Sequence, residues 1–436
     1  MGDVNTCSRR PDALALATRT GWGSHQYRGR KVAMDDRRDV LGLTRANGLA
    51  LAHVRARAER DRSRHLGRIE SVLISHGIDT SAAALLDALG ADVAVTLNFH
   101  PDRLLADGRA VAQALYDEGV YRSQFETGIS NGALTAYPDG ERDVWERSLF
   151  AGAYQALDVR LAERPKYGGL NLMNNRNGAC PRFGSCHLRL GRAATGRTTL
   201  VFGDSASRPD DLGLIDDFAP VLAPLLESIA AGAGALGRAG VDVRAFVAGV
   251  LNGDHRRARG VFAPTISHAL NDYVEAHVHG ELRLARDVEA VVIDPAFDDT
   301  PDGELLVQAA ERYGLRVERH EGLAVALADV PDERPDLPDD QLMRWQAFCG
   351  DGRARRFAER VVAATHSAPR LDAANIGRAA VSAVREPARW REWGESGEVL
   401  VHLKDLWLLL VAQGTPRAPQ LIGSKRARKN RRSSGS

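Results

Sequence analysis

The stretch YVEAHVHGELRLARDVEAVVIDP, residues 273–295, contains two strand-like runs. The first, residues 273–284, alternates apolar residues with ionisable ones, and the second, residues 288–293, is mostly apolar. Alternation with a period of two is typical of a β-strand that buries one face, and a short apolar run is typical of a buried strand. The stretch therefore predicts two strands of a sheet, the first with its apolar residues on the buried face.

Further strands are predicted upstream, with helices between them. Residues 93–99, VAVTLNF, predict a buried strand that ends at His100, and residues 104–118 predict a helix that stops at Gly119. Residues 209–251 have a mostly helical pattern. Shorter strands are predicted at Gly169–Leu172, Ser185–Leu190 and Thr198–Phe202. Strands and helices mixed in this way indicate the α+β class.

Shifts in composition divide the chain into segments. The polar, Arg- and Gly-rich start predicts a mobile arm, and a helical pattern follows it, with Ser81 placed to cap a helix at Ala82–Leu89. An acidic, proline-containing stretch at 329–340 predicts a linker. The segments are a mobile arm at 1–40, a helical module at 41–90, a mixed α/β catalytic domain at 91–328, a helical region at 341–413 and a basic disordered tail at 414–436.

The charge balance and the hydropathy exclude several classes of protein. Because 58 basic residues face 57 acidic ones, the chain does not bind polyanions through bulk charge, although the basic tail leaves weak contact with nucleic acid as an alternative to solvation. No run approaches the roughly 18 to 20 apolar residues of a membrane span, and the polar start lacks a secretory signal. The four cysteines are too scattered for a disulfide framework. We therefore expect a cytoplasmic protein without membrane contact.

The alternating strand places ionisable residues on one face. Glu275, His277, His279 and Glu281 occupy every second position, so they project to the same side of an uninterrupted strand. Four ionisable groups do not form a core, and we expect their face to meet solvent or to line a polar cleft. Two histidines at strand spacing can also bind a cation, which leaves a metal-dependent hydrolase that uses His277 and His279 as an alternative.

Other polar residues follow predicted strands. His100, Asp102 and Arg103 lie at the carboxyl end of the strand at 93–99, where α/β folds often place ligand-binding side chains. A histidine there can equally cap the next helix. After the strand at 198–202, Asp204 and Ser205 are placed to cap a following helix rather than to touch a ligand.

Three glycine-rich segments carry candidate ligand contacts. The loop at 119–132 is rich in hydrogen-bonding side chains, which either bind a polar ligand or satisfy the loop's own backbone. Two further segments place an aromatic residue directly before glycine, so that a ring can lie over a flat ligand or can belong to an ordinary turn. The candidates in these segments are Tyr121, Arg122, Ser123, Tyr167, Gly168, Arg182, Phe183 and Gly184.

Six blocks in order resemble the bacterial domain of unknown function family 3626, over roughly residues 90–325. They are TLNFHPDR (96–103), YRSQFETGISNG (121–132), RPKYGGLNL (164–172), PRFGSCHLRL (181–190), RTTLVFGDS (197–205) and the stretch at 273–295. That family has no assigned activity. The layout is also similar, more distantly, to that of ADP-ribosyltransferases, which implies a split mixed β-sheet that clamps NAD, flanked here by helical N- and C-terminal regions.

The transferase resemblance implies roles for individual residues. NAD would be the substrate, with Glu275, His100 and His277 as catalytic residues. Glu275 would stabilise the oxocarbenium character that develops when the nicotinamide–ribose bond breaks. The residues implied to bind NAD are Arg103, Tyr121, Arg122, Ser123, Tyr167, Gly168, Arg182, Phe183 and Gly184.

The resemblance implies that these residues contact different parts of NAD. Arg103 or Arg122 would pair with the pyrophosphate, and Tyr121 or Tyr167 would stack on nicotinamide. None of these roles needs a metal. ADP-ribose would pass to a macromolecule that the sequence does not identify. A non-enzymatic module that binds a polar ligand stays open beside the metal-dependent hydrolase.

Overall fold

The computed structural model describes residues 42–129, 136–331, 352–365 and 369–417. The predicted arm at 1–40, the end of the loop at 119–132, most of the predicted linker, the first part of the helical region at 341–413 and nearly all of the basic tail lie outside the described residues. The described residues all belong to one compact unit that begins at Gly42. No helix among them is long and apolar enough to cross a membrane.

The strands are numbered in chain order. They are β1 (Val95–Phe99), β2 (Val120–Tyr121), β3 (Lys166–Leu170), β4 (Cys186–Leu190), β5 (Thr198–Phe202), β6 (Leu212–Leu214), β7 (Val274–Val278), β8 (Leu282–Arg283), β9 (Val288–Ile293), β10 (Arg316–Arg319), β11 (Leu323–Ala326), β12 (Arg370–Asp372) and β13 (Thr415–Pro416).

The helices are numbered in the same way. They are α1 (Arg45–Arg60), α2 (Arg62–Ser75), α3 (Ala82–Leu89), α4 (Val111–Glu118), α5 (Gln124–Thr127), α6 (Glu141–Leu149), α7 (Arg192–Thr195), α8 (Ala219–Ala230), α9 (Val243–Leu251), α10 (Asp254–Arg257), α11 (Leu284–Asp287), α12 (Pro301–Tyr313), α13 (Arg353–Thr365), α14 (Ala373–Arg385) and α15 (Ser396–Gln413).

Eight strands form one mixed sheet, in the order β10-β9-β4-β1-β3-β7-β5-β6. Neighbouring strands are antiparallel except β9 and β10, which are parallel. Together with the helices before and after the sheet, this confirms the predicted α+β class. Because the hydrogen bonding joins all eight strands, the split sheet that the transferase resemblance implies is not shown.

Local signals set several element boundaries as predicted. Ser81 accepts a hydrogen bond from the Ala84 amide and caps α3, as its position indicated. Helix α4 ends at Gly119, which has a φ of +64°. A Cβ atom there would meet the Tyr313 ring at 2.6 Å, so both the backbone conformation and the space require glycine.

The alternating run at 273–284 is interrupted, which differs from the single strand predicted. Strand β7 ends at Val278, and the chain turns at Gly280, whose φ is +82°, before the short strand β8 pairs with β2. Glu281 therefore leaves the face that Glu275 and His277 share. Its side chain is 39% exposed and pairs with Arg283.

Strand β7 lies between two apolar clusters. Its apolar residues join the main cluster, which includes residues of α2, α3, α8 and α9. On its other face, Phe150 and Tyr154 pack with residues of α1 and with Val201 of β5. The ionisable face of β7 is therefore covered by protein along most of its length.

Candidate functional site

A cavity of about 260 Å³ opens at the carboxyl end of β1, where the residues around His100 meet β3, β7 and the C-terminal helices. Small-molecule sites usually enclose about 300 to 1,000 Å³, so the volume of the cavity is close to the lower end of that range. The structure brings most of the candidate residues together in its lining. They are His100, Arg103, Tyr121, Arg122, Tyr167, Gly168, Arg182, Phe183 and Glu275.

Two candidates for ligand contact have structural contacts instead. Ser123 caps α5, because its hydroxyl accepts a hydrogen bond from the Glu126 amide and donates one to the Leu161 carbonyl at 2.8 Å. Gly184 lies against the backbone of Phe99, where a Cβ atom would come within 2.3 Å of the carbonyl oxygen. Neither residue lines the cavity.

Glu275 presents an ionised carboxylate to the cavity. Burial alone would raise its pKa, but the pKa is held below its ordinary value, and the hydrogen bond from His277 is the largest of the causes that lower it. The His277 ring accounts for the shortest of its bonds, with Nε2 at 2.8 Å from Oε1. The Ser205 amide donates to Oε2 at 3.3 Å. The carboxylate is therefore fixed in orientation as well as in charge.

Asp204 is a second acid in the lining. Its Oδ1 atom accepts from the Ala206 amide at 2.8 Å, so it caps the following turn as predicted. Its Oδ2 atom accepts from the Tyr273 hydroxyl at 3.1 Å, and that hydroxyl also lies 3.4 Å from Glu275 Oε2. The sequence indicated only the capping role of Asp204. Tyr273 is 69 residues from Asp204 and two from Glu275, and no local pattern shows that its hydroxyl lies close to both acids.

His100 forms a neutral part of the lining. Burial, with a smaller contribution from the Arg103 charge, lowers the pKa of His100 to about 4. Its ring packs edge-on against Trp407, with ring centroids 4.7 Å apart. His100 can therefore exchange hydrogen bonds with a ligand at neutral pH but contributes no positive charge.

Asp102, next to His100, is held uncharged at neutral pH. Burial, reinforced by the charge of Asp302, raises the pKa of Asp102 to about 8. Its carboxyl group lies directly against Gly377 of α14, where a Cβ atom would be 1.5 Å from Oδ2. Asp102 therefore marks a close contact between the end of β1 and the C-terminal helices.

Tyr167 is held by its neighbours on both sides. Its hydroxyl donates to Glu146 at 2.8 Å, and the Arg142 guanidinium lies over its ring at 4.3 Å. The His277 ring meets it nearly at right angles, with centroids 5.1 Å apart. Tyr121 differs, because its ring contacts Phe99 edge-on at 6.3 Å and lines the cavity from β2.

The cavity has two walls of different chemistry. We call Tyr167, Asp204 and Glu275, with Arg142 and Arg182, the sheet wall. We call the residues of α14 and α15 the helical wall. They are Ile376, Gly377, Ala380, Leu400, Leu403, Lys404 and Trp407. The sequence predicted helices in this region but gave no sign that they close a site, because an apolar helix face does not indicate its partner.

His277 and His279 neither line a cleft nor meet solvent. This differs from the prediction that their face of the strand would do one or the other. Both are fully buried beneath Phe150 and Tyr154. Each ring nitrogen has a hydrogen-bonding partner within the protein, so none points to a vacant ligand position. Within the described residues, no group of three or more histidine, cysteine or acidic side chains is placed to hold a metal ion.

Comparison with known proteins gives a family without an assigned activity. The protein family described as "Protein of unknown function (DUF3626)" matches the chain over residues 94–413. No curated protein matches the chain. The matched range includes the sheet, both walls of the cavity and the helices between them.

Proposed function

The chain belongs to the DUF3626 family, and we propose that it is an NAD-dependent ADP-ribosyltransferase-like enzyme. It would break the bond between ribose C1′ and the nicotinamide nitrogen and form a bond from C1′ to a nucleophile of a macromolecule. Nicotinamide would leave as a neutral base, and the acceptor's proton would pass to water. The observation that carries the proposal is the ionised, oriented carboxylate of Glu275 in a cavity that also contains His100.

The charge of Glu275 suits this reaction. Cleavage builds positive charge on the ribose ring, so a fixed carboxylate stabilises the transition state more than the ground state. Exclusion of water by the helical wall strengthens that interaction, because it lowers the local dielectric constant. Glu275 needs no proton for this role, since the nicotinamide ring of NAD is itself positively charged and leaves as a neutral base.

The contacts in the lining narrow the assignment of the other residues. We assign stacking on nicotinamide to Tyr121, because Arg142 already covers a face of Tyr167. Arg103 and Arg122 both line the cavity, and we assign pairing with the pyrophosphate to either of them. Neutral His100 would hold a ribose hydroxyl. The volume of the cavity suits the nicotinamide mononucleotide half of NAD better than the whole dinucleotide.

The test is turnover of labelled NAD by the full chain and by Glu275→Gln. We expect the substitution to lower the rate by about 100- to 1,000-fold, because it removes the charge while keeping the shape. Glu281→Gln is the matched control, since this exposed acid lies in the same segment and outside the cavity. Measuring label on macromolecules against free ADP-ribose separates transfer from hydrolysis.

Two outcomes contradict the proposal. If neither protein binds or cleaves NAD, the site has another ligand. If both bind NAD with equal affinity and neither cleaves it, the protein is a binding module rather than an enzyme.

A further inference from the structure

Behind Glu275, five buried side chains continue a hydrogen-bonded series away from the cavity. All five are at most 1% exposed. They come from β7 and the residue after it, from β5, from the loop after α6 and from α1. In order from Glu275, they are His277, Thr199, His279, Tyr154 and Asn47.

The far end of this series has a fixed orientation. The Oδ1 atom of Asn47 accepts from the Thr44 amide at 3.0 Å, and Nδ2 donates to the Glu163 carbonyl at 2.7 Å. A flipped side-chain amide would set donor against donor and acceptor against acceptor, so the backbone decides which atom is nitrogen. Nδ2 also lies 3.1 Å from the Tyr154 hydroxyl, which must therefore accept from it.

The direction of the next bonds follows from that end. Tyr154 accepts from Asn47, so its own proton goes to His279 Nδ1, at 2.5 Å. Burial holds the pKa of Tyr154 above its ordinary value and that of His279 well below, so both are neutral. A neutral His279 that accepts at Nδ1 carries its proton on Nε2 and donates to Thr199 Oγ1, at 3.0 Å.

The last two bonds reach Glu275. The Thr199 hydroxyl accepts from His279, so its proton goes to His277 Nδ1, at 3.2 Å. His277 then carries its proton on Nε2, which lies 2.8 Å from Glu275 Oε1. With this order, every donor in the series meets an acceptor.

We propose that Asn47, Tyr154, His279 and Thr199 are positioning residues, which set the tautomer of His277 and so hold Glu275 as an oriented carboxylate. The series ends at an amide and a backbone carbonyl, so it orders protons but has no proton to deliver. The effect of these directed hydrogen bonds on catalysis rests on the proposed function, whereas their direction does not depend on it.

The direct test is nitrogen NMR of the full chain labelled at histidine, with His277→Gln and His279→Gln to assign the signals. We expect both rings to carry a proton on Nε2 and to accept a hydrogen bond at Nδ1. Tyr154→Phe removes the hydroxyl proton that His279 Nδ1 accepts. We expect this substitution to change the signals of His277 as well, although Tyr154 and His277 share no hydrogen bond. Wild-type His277 protonated on Nδ1, or on both nitrogens, would overturn the proposal, and so would His277 signals that Tyr154→Phe leaves unchanged.

A matched pair of variants tests the effect on turnover. Thr199→Val keeps the shape and removes the hydroxyl, and we expect the rate of NAD cleavage to fall by about 10- to 100-fold, the range found for hydrogen-bonding partners that orient metal ligands. Thr199→Ser restores the hydroxyl and should restore most of the rate with an unchanged melting temperature. Equal rates in Thr199→Val and the wild type would contradict a positioning role. The expected tautomers in a protein that does not cleave NAD would support the order and refute the proposed function.

Discussion

The sheet wall and the helical wall enclose one cavity but are built in opposite ways. In the sheet wall, Tyr167, Asp204 and Glu275 each have hydrogen-bonding partners that fix them. The helical wall is mostly aliphatic, with Ile376 and Leu403 as buried examples. The two walls therefore have different roles. The sheet wall fixes charged side chains such as Glu275, and the helical wall keeps water away from them. Substitutions in and between the walls can test this difference.

The largest effect is expected for Trp407→Ala in the helical wall. Trp407 is 4% exposed, and its Nε1 donates to the carbonyls of Pro181 and Arg182, at 3.2 and 3.0 Å. Loss of a buried indole should lower the free energy of unfolding by about 3 to 5 kcal/mol, measured by urea denaturation. Trp407→Phe keeps much of the ring and should lose less. A loss below about 1 kcal/mol for Trp407→Ala would show that the helical wall is not packed on the site.

A smaller effect is expected where the helical wall contacts the end of β1, for Gly377→Ala. The new Cβ atom would overlap the Asp102 carboxyl, so we expect a loss of about 1 to 3 kcal/mol in unfolding free energy. Gly67→Ala is the matched control in helix α2, where nothing lies within 4 Å, and it should stabilise by about 0.5 to 1 kcal/mol. Adding Asp102→Ala to Gly377→Ala should recover part of the loss, and strict additivity would argue against this contact.

The same contact predicts a graded dependence of stability on pH. The pKa of Asp102 is raised from about 4 in the unfolded chain to about 8 in the folded one, so the folded protein keeps a proton that the unfolded chain loses. Stability should therefore fall as pH rises between these values, by at most about 1.4 kcal/mol per pH unit. Thermal unfolding of wild type and Asp102→Asn from pH 4 to pH 8 measures this contribution. The advantage of the variant should grow with pH, and a constant difference would contradict the prediction.

The sequence predicts more of the sheet wall than of the helical wall, because the patterns that indicate the strands lie within short stretches of chain. Apolar runs and alternation placed β1 and β7, and the transferase resemblance implied that His100 and Glu275 share a site. Both residues line the cavity. Gly280 was the local exception, since alternation alone does not show that the chain turns there.

The rest depends on contacts between distant parts of the chain. Asn47 and Tyr154 are 107 residues apart, and neither stands in a motif that suggests a shared hydrogen bond. Trp407 reaches the carbonyls around Arg182 across 225 residues. Periodicity predicts that a face is buried, but not what covers it, so neither the burial of His277 nor the closure of the cavity follows from the sequence.

The position of the helical wall in the chain has a consequence for biosynthesis. A ribosome makes all eight strands of the large sheet before it reaches α14 and α15. The strands and the charged groups that they carry therefore leave the ribosome before the helical wall does. The nascent protein cannot enclose a small molecule until α14 and α15 dock, and a chain cut short before α14 would leave Glu275 facing water.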